Sequence, residues 1–373
     1  MQSIDRNAAI LGLSTAVPAY RISQSDLANW FCDYFQYPDR IANFVRRIHD
    51  RSGIDFRSTV LPDFEKGAVP RLYGLRRTSG INDRMDVYRS EAPLLAARAC
   101  RGALGEAEIV PSEVTHLIVV TSTGIMTPGP DVAIAQLLGL SESVERTIVS
   151  MHGCVGGVVG LALAAQIVRG DPDARVLMVS VELCTIHLGG GSDRQTMVAN
   201  SLFSDGSAAV VVGSESSTRS GLASLGARNT VIVPGSTNAL QWNLAPDGFE
   251  LKLSRELPRA IQSHVAAFVS RFENSGERNE EGGIRLPISS WAVHPGGVAI
   301  LRGVQRGLGL SDRDLMTSIE TLSSSGNQSS SAVLYALDRE LRRPSPASER
   351  RRGLILGFGP GLCIDGIEYS LGG

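Results

Sequence analysis

The sequence predicts a layered α/β fold built from two related halves. Three observations carry this expectation. Short β-branched runs alternate with helical stretches along all 373 residues, the strand candidates read as unbroken apolar runs, and one strand–turn–helix pattern occurs twice at matched spacing. Continuous apolar runs belong to strands covered on both faces, as in sheets sandwiched between helices.

In chain order, AAILGLSTAVP (8–18) is the first strand and EAPLLAARACRGALGEA (91–107) a helix. HLIVVTST (116–123) reads as a strand, and PDVAIAQLLGL (130–140) as a helix opened by proline and closed by glycine. The strand RTIVSM (146–151) leads into the helix GLALAAQIVRG (160–170), and ARVLMVSVEL (174–183) and GSAAVVVG (206–213) are buried strands. Further on, RAIQSHVAAFVSRFE (259–273), VAILRGVQRGLGL (298–310) and SAVLYALDRELRR (331–343) are helical, while SWAVHP (290–295) and RGLILGFG (352–359) are strands. The polar segment at 273–283 reads as a solvated loop and 342–353 as a linker before the last strands.

The repeat sets the organisation. HLIVVTSTG (116–124) and SSWAVHPGG (289–297) each end in a glycine-containing turn, and each is followed by a helix and a GLS turn. Thirty-three residues separate Thr121 from Cys154, and thirty-three separate His294 from Asn327. GCVGG around Cys154 therefore pairs with GNQSS around Asn327. The expectation is an N-terminal half over 1–220 and a C-terminal half over 221–373, packed about a pseudo-twofold axis. Cys154, His294 and Asn327 then converge at the seam.

Composition narrows the function. The formal net charge of −2 gives no reason to expect a nucleic-acid or membrane partner, and the apolar runs fall short of a bilayer span. Five widely spread cysteines without CxxC pairs argue for reduced thiols in a cytoplasm, and against disulfides or a metal site. The N-terminus lacks the basic segment of a signal peptide.

In SMHGCVGGVVG (150–160) one thiol sits where a strand turns into a helix. Unpaired N–H groups and the helix dipole there favour thiolate, and the glycines permit a tight turn. Such a nucleophile needs a base, and histidine is the usual one. His294, at a strand end before Pro-Gly-Gly, is the best placed. His187 lies just past a strand where it would line a cavity, and His152 stands two residues from Cys154. His49 reads as a solvated residue on a basic helix face. Asn327 either caps the helix after it or donates to a developing oxyanion. In GFGPG (357–361), too little chain follows for a dinucleotide-binding unit, so Pro360 is read as part of a turn shaping the site wall.

Taken together, GCVGG, NSLFSDGSAAVVVG (200–213), WAVHPGG (291–297), SSGNQSS (324–330) and GFGPGL (357–362) resemble the type III polyketide synthase (chalcone synthase-like) family, of the thiolase superfamily and of its bacterial-type branch. The resemblance implies a thiolase-like five-layer αβαβα fold, a homodimer, and an acyltransferase. That enzyme would condense malonyl-CoA onto an acyl-CoA starter held on Cys154, with cyclisation to follow. His294 and Asn327 would stabilise the enolate, and His294 would hold Cys154 as thiolate. No cofactor and no obligatory acyl carrier protein are implied. By the same resemblance Phe203 gates the substrate cavity, and Leu251 stands in place of a second gating aromatic. Trp242, His187, Cys184 and Ser329 border the cavity. Arg47 and Arg51 bind CoA phosphates, and the Thr127-Pro128 loop reaches toward a partner subunit's cavity. Two alternatives stand beside this reading. One is a β-ketoacyl-acyl carrier protein synthase III-like condensing enzyme, and the other a cysteine-dependent acyl-CoA hydrolase or acyltransferase.

Overall fold

The computed structural model describes residues 8–74, 79–190, 193–214, 221–273, 287–344 and 350–372. The chain opens with β1 (Ala8–Ala16), a small excursion of β2 (Tyr20–Ser23), α1 (Gln24–Tyr34), α2 (Asp39–Asp50) and β3 (Phe56–Thr59), and the long α3 (Ile81–Glu106). It continues through β4 (His116–Thr121), α4 (Pro130–Leu138), β5 (Glu145–Ser150), α5 (Gly156–Gly170), β6 (Val176–Leu183), α6 (Arg194–Asn200) and β7 (Asp205–Ser214). The second half contains β8 (Ala223–Ile232), the hairpin β9 (Leu240–Ala245) and β10 (Gly248–Leu253), α7 (Leu257–Glu273), β11 (Ile288–Val293) and α8 (Val298–Leu308). It ends with α9 (Met316–Ser325), α10 (Ala332–Leu341), β12 (Arg351–Gly359) and β13 (Cys363–Leu371). Residues 274–283 of the expected polar loop and 345–349 of the expected linker lie outside the described residues.

Among the described residues, hydrogen bonds join nine strands in the order β11-β12-β13-β8-β1-β7-β6-β4-β5. The order is one motif written twice and mirrored about the junction of β1 and β8. Strands β1, β7, β6 and β4 correspond to β8, β13, β12 and β11. That junction is short, pairing only Ala9 with Ser224 and Ile10 with Ala223. Symmetry fails at the fifth position, where β5 flanks β4 but α9 occupies the equivalent stretch beside β11. Ser318 of α9 explains how the edge is satisfied, because its hydroxyl accepts the Val293 N–H at 3.1 Å.

Three apolar clusters define five layers. Helix α3 packs with Leu117, Val119, Leu177 and Val179 on the outer face of the first half. Helices α5 and α10 lie in the middle, with Ile118, Val120 and Met178 from one side and Ile355 and Ile367 from the other. Helices α7 and α8 cover Val293, Leu354 and Leu356 on the outer face of the second half. Alternate residues of β6 thus enter different cores, which is why the strand is apolar throughout. Segment Gly153–Gly170, containing α5, is long and apolar enough to cross a bilayer by length and composition. Here it is packed between the strands of the two halves.

His49 departs from the sequence expectation. It is buried on the inner face of α2 against Phe31, with Nδ1 2.9 Å from the Val45 carbonyl oxygen, and burial pushes its pKa down to about 3. The basic face of α2 is formed by its arginines alone.

Candidate active site

Two turns at equivalent places in the halves build the site. After β5 the chain passes through Met151 and His152 to Gly153, at φ +55°, and Cys154 opens the turn that runs into α5. In the second half α9 ends at Gly326, φ +71°, and Asn327 follows. Both glycines take positive φ values that side-chain-bearing residues avoid, which lets the chain turn sharply at each before the next helix. The turns meet: the Cys154 thiol donates a long hydrogen bond to Ser329 Oγ at 3.8 Å.

Asn327 is held from all sides but one. Its backbone bridges to the Phe203 segment, donating to Leu202 O at 2.9 Å and accepting from Ser204 N at 2.9 Å. Side-chain Oδ1 accepts the Ser329 N–H at 2.9 Å, and Nδ2 donates to Gly296 O at 3.4 Å. The amide orientation is thereby set, and the remaining N–H of Nδ2 is turned toward the Cys154 sulfur. Gly296 lies two residues beyond His294, so the asparagine also steadies the turn that carries the imidazole. His294 directly follows β11, and its backbone N–H donates to Leu356 O at 2.8 Å. Its Nδ1 is buried without a partner among the described residues. Nε2 is therefore the nitrogen left to meet a ligand.

The electrostatics differ from the sequence expectation of a resting thiolate. Burial pushes the Cys154 pKa up to about 12 against weaker opposing hydrogen bonds from Ser329 and Asn327, and burial pulls His294 down to about 3. No hydrogen bond joins the two among the described residues. Thiol and imidazole rest neutral, because desolvation of the sulfur outweighs the helix dipole.

Sequence reasoning missed Glu182, the buried acid of VLMVSVEL. One carboxylate oxygen accepts Ser122 N at 3.0 Å and Thr123 Oγ1 at 2.7 Å; the other accepts the Ser330 hydroxyl. It thus ties the turn after β4 to the turn after Asn327. Burial raises its pKa to about 7, and its charge also opposes ionisation of Cys154. The signal was available: a lone acid in a strand buried on both faces must be fully hydrogen-bonded to be tolerated.

Cys154 opens on a cavity of about 20 Å³, room for little more than one water. Phe203, Trp242, Leu251, Ser329 and Pro360 line it, as do Ser122, Gly153 and Leu240, which sequence reasoning did not name. Cys184 is buried beside Cys154 and Phe203 in one apolar cluster, but is absent from the wall. His187 is a correction: it stands behind the wall. Its Nε2 donates to Thr123 O at 2.7 Å and its Nδ1 accepts the Phe249 N–H at 3.2 Å. The ring is 4.6 Å from Phe249 and 6.0 Å from Trp242, centre to centre. With both nitrogens spent on backbone, it anchors the β9–β10 hairpin and is not part of the Cys154 cavity wall. His152 is exposed, its Nδ1 2.9 Å from Ser150 O, and takes no part in the site. Thr127 is exposed, away from this chain's cavity; Arg47 and Arg51 are exposed on and just after α2. A more open groove of about 560 Å³ beside α9 and α10 holds none of these residues, and its Arg339 and Arg342 already pair with Glu320, Glu106 and Asp338. Among the described residues no group of three or more His, Cys, Asp or Glu side chains is placed to hold a metal ion.

Comparison with known proteins gives the site a context. Residues 1–216 match the N-terminal domain of chalcone and stilbene synthases, and residues 225–370 match the C-terminal domain. The chain is 30% identical over 369 residues to the alpha-pyrone synthesis polyketide synthase-like Pks18 of Mycobacterium tuberculosis, covering 98% of this chain and 91% of that protein. It is 30% identical over 366 residues to the 1,3,6,8-tetrahydroxynaphthalene synthase of Streptomyces peucetius subsp. caesius, covering 97% and 93%. It is 29% identical to the probable polyketide synthase 1 of Dictyostelium discoideum, matching 97% of this chain but spanning only 11% of that much longer protein. Among solved structures, PKS-I from the brown alga Ectocarpus siliculosus superposes with a TM-score of 0.90 at 26% identity, over 98% of each chain.

Proposed function

Because this chain belongs to the chalcone and stilbene synthase family, the type III polyketide synthases, we propose that it extends an acyl-CoA starter on Cys154 by iterative decarboxylative condensation with malonyl-CoA. The observation that carries this reading is the meeting of two equivalent turns: the Cys154 thiol lies against Ser329 and Asn327, and Asn327 bonds Gly296 in the turn that follows the buried His294.

In loading, the Cys154 thiol gives its proton to His294 as the sulfur attacks the acyl carbonyl carbon. The carbon–sulfur bond to CoA breaks, and the departing CoA thiolate takes up a proton. In extension, the bond between the malonyl methylene and its carboxylate breaks and CO₂ leaves. The electron pair moves into an enolate whose oxygen accepts hydrogen bonds from Asn327 Nδ2 and His294 Nε2. Those donors are pre-placed in a desolvated site, where they oppose charge only as it develops. The enolate carbon attacks the Cys154 thioester, the sulfur leaves as thiolate, and one proton is consumed per round. The proton that His294 took from Cys154 in loading sits on Nε2 and makes that nitrogen a donor to the enolate; it returns to the Cys154 thiolate when the sulfur leaves.

The starter reaches Cys154 directly from CoA, with no cofactor and no obligatory carrier protein. Arg47 and Arg51 engage the CoA phosphates. Phe203, Trp242 and Leu251 shape the acyl cavity, and the product is a pyrone, resorcinol, phloroglucinol or related aromatic. The work is done in the cytoplasm, in keeping with five free thiols. A second copy of the chain packs along β5, whose outer edge has no strand partner among the described residues and which exposes Ile148; Met151 and Ile125 are exposed as well. From there the Thr127 loop faces the partner's cavity.

The test is incubation of purified protein with malonyl-CoA and a panel of acyl-CoA starters, with products read by mass spectrometry and CO₂ counted. Starter-dependent polyketides with one CO₂ per extension are expected. Cys154→Ala should abolish starter loading and leave residual malonyl-CoA decarboxylation. Free acid released without CO₂, or full polyketide yield from Cys154→Ala, would sink the assignment.

A further inference from the structure

We infer that Arg194 and Phe44 join Arg47 in a clamp for the phosphate groups of CoA thioesters, an inference that rests on the reading that such thioesters are the substrates. Along α2, Phe44 and Arg47 are spaced i, i+3, with Arg51 one turn further on, so all three share one face. The Phe44 ring packs against the first-half core and is thereby fixed. The guanidinium carbon of Arg47 stands 5.8 Å from the ring centre, and that of Arg194, the first residue of α6, stands 5.5 Å from the same ring. Two distant parts of the sequence thus bring two cations to one aromatic.

Both side chains are exposed, and neither guanidinium has a hydrogen bond or ion pair among the described residues. Two other arginines of the first half are paired. Arg46 donates to Asn29 at 3.0 Å, and Arg71 pairs with Glu91 at 2.6 Å. The carboxylate next in sequence to Arg194 is spent elsewhere: Asp193 accepts from Gln195 N, Thr196 N and Thr196 Oγ1 as the cap of α6. Two like charges held together without a counter-ion repel each other, and the ring face offsets only part of that. The arrangement leaves the guanidinium N–H groups free for a multivalent oxyanion, the ligand such forks fit.

Placement says which phosphate compound. Helix α6 starts at Arg194 on the surface, and three residues past its end at Asn200 the chain reaches Phe203 in the cavity wall. A ligand held here therefore has an anionic head at the surface and a slender arm ending at Cys154. A CoA thioester has that shape, with its diphosphate and 3′-phosphate at one end and the thioester at the other.

The experiment uses the full chain and the variants Arg194→Ala, Arg194→Lys and Arg194→Glu. Calorimetry measures binding of CoA, dephospho-CoA and pantetheine, and steady-state kinetics compare malonyl-CoA with its N-acetylcysteamine thioester. Arg194→Ala should weaken CoA by about tenfold, Arg194→Glu by considerably more, and Arg194→Lys should recover part of the loss. The kcat/KM ratio of malonyl-CoA to the N-acetylcysteamine thioester should fall in parallel. If the loss persists with dephospho-CoA the clamp holds the diphosphate, and if it vanishes there it holds the 3′-phosphate. Unaltered CoA binding by Arg194→Glu would overturn the clamp, as would an equal loss with pantetheine. A wild type that binds CoA through Arg194 yet makes no condensation product would instead overturn the reaction and leave the clamp standing.

Discussion

Cys154 illustrates how the burial of a single group can reverse an expectation drawn from its local position. At a helix start flanked by glycines it has the features of a depressed thiol pKa, yet it is largely buried and the charge of Glu182 opposes its ionisation. The thiol stands at about 12 and the imidazole of His294 at about 3, so at neutral pH neither is charged. Since the raised pKa belongs to an acid whose reactive form is the anion, reactivity lies on the alkaline side. Alkylation of Cys154 by iodoacetamide in the free enzyme should climb about tenfold per pH unit from 7 to 10. A plateau beginning near neutral pH would instead reveal a thiolate held by His294. Asn327 was legible at the same scale only through the repeat; alone, its sequence context suits a helix cap equally well. Glu182 escaped notice because its three donors come from segments distant in sequence.

At the scale of elements, the β9–β10 hairpin decides what can enter. It pairs only with itself in the sheet order, and it brings Leu240, Trp242 and Leu251 over Cys154. It is held through the His187–Phe249 hydrogen bond and by Pro246 O, which accepts the Ile81 N–H at 3.0 Å. A cavity of about 20 Å³ has no room for an acyl chain, so the hairpin or its side chains must yield on loading. The indole of Trp242 is the largest obstacle. Trp242→Gly should raise kcat/KM for long-chain relative to short-chain acyl-CoA starters by at least about tenfold, in a competition assay read by mass spectrometry. An unshifted preference would place the size limit elsewhere. Little of this hairpin is legible from pattern, since β9 and β10 are short and half exposed, and turn chemistry alone does not tell where a hairpin docks. The assignment of His187 to the cavity failed for the same reason: sequence position put it near the wall, but two backbone partners turned it to structural use.

The whole molecule is a duplication with one asymmetric edge. In the second half α9 closes the sheet with Ser318, whereas in the first half β5 ends it with an open edge and exposed Ile148. Unpaired edges with apolar side chains are the surfaces that proteins normally cover. If the proposed homodimer packs here, Ile148→Asp should shift it toward monomer in sedimentation analysis while leaving its circular dichroism native. A dimer of undiminished stability would locate the contact on another face.

By itself the sequence determined the layered fold, because strands apolar on both faces can only be buried between helices, and the doubling, because matched spacing survives in the chain. It also singled out Cys154, His294 and Asn327, since turn glycines and chemical type mark such positions locally. Tertiary structure alone decided their protonation, the tight closure of the cavity, the supporting work of His187 and Glu182, and the meeting of Arg47 with Arg194 across Phe44. Each of these depends on desolvation or on contacts between segments far apart along the chain, and neither is written in any local stretch of residues.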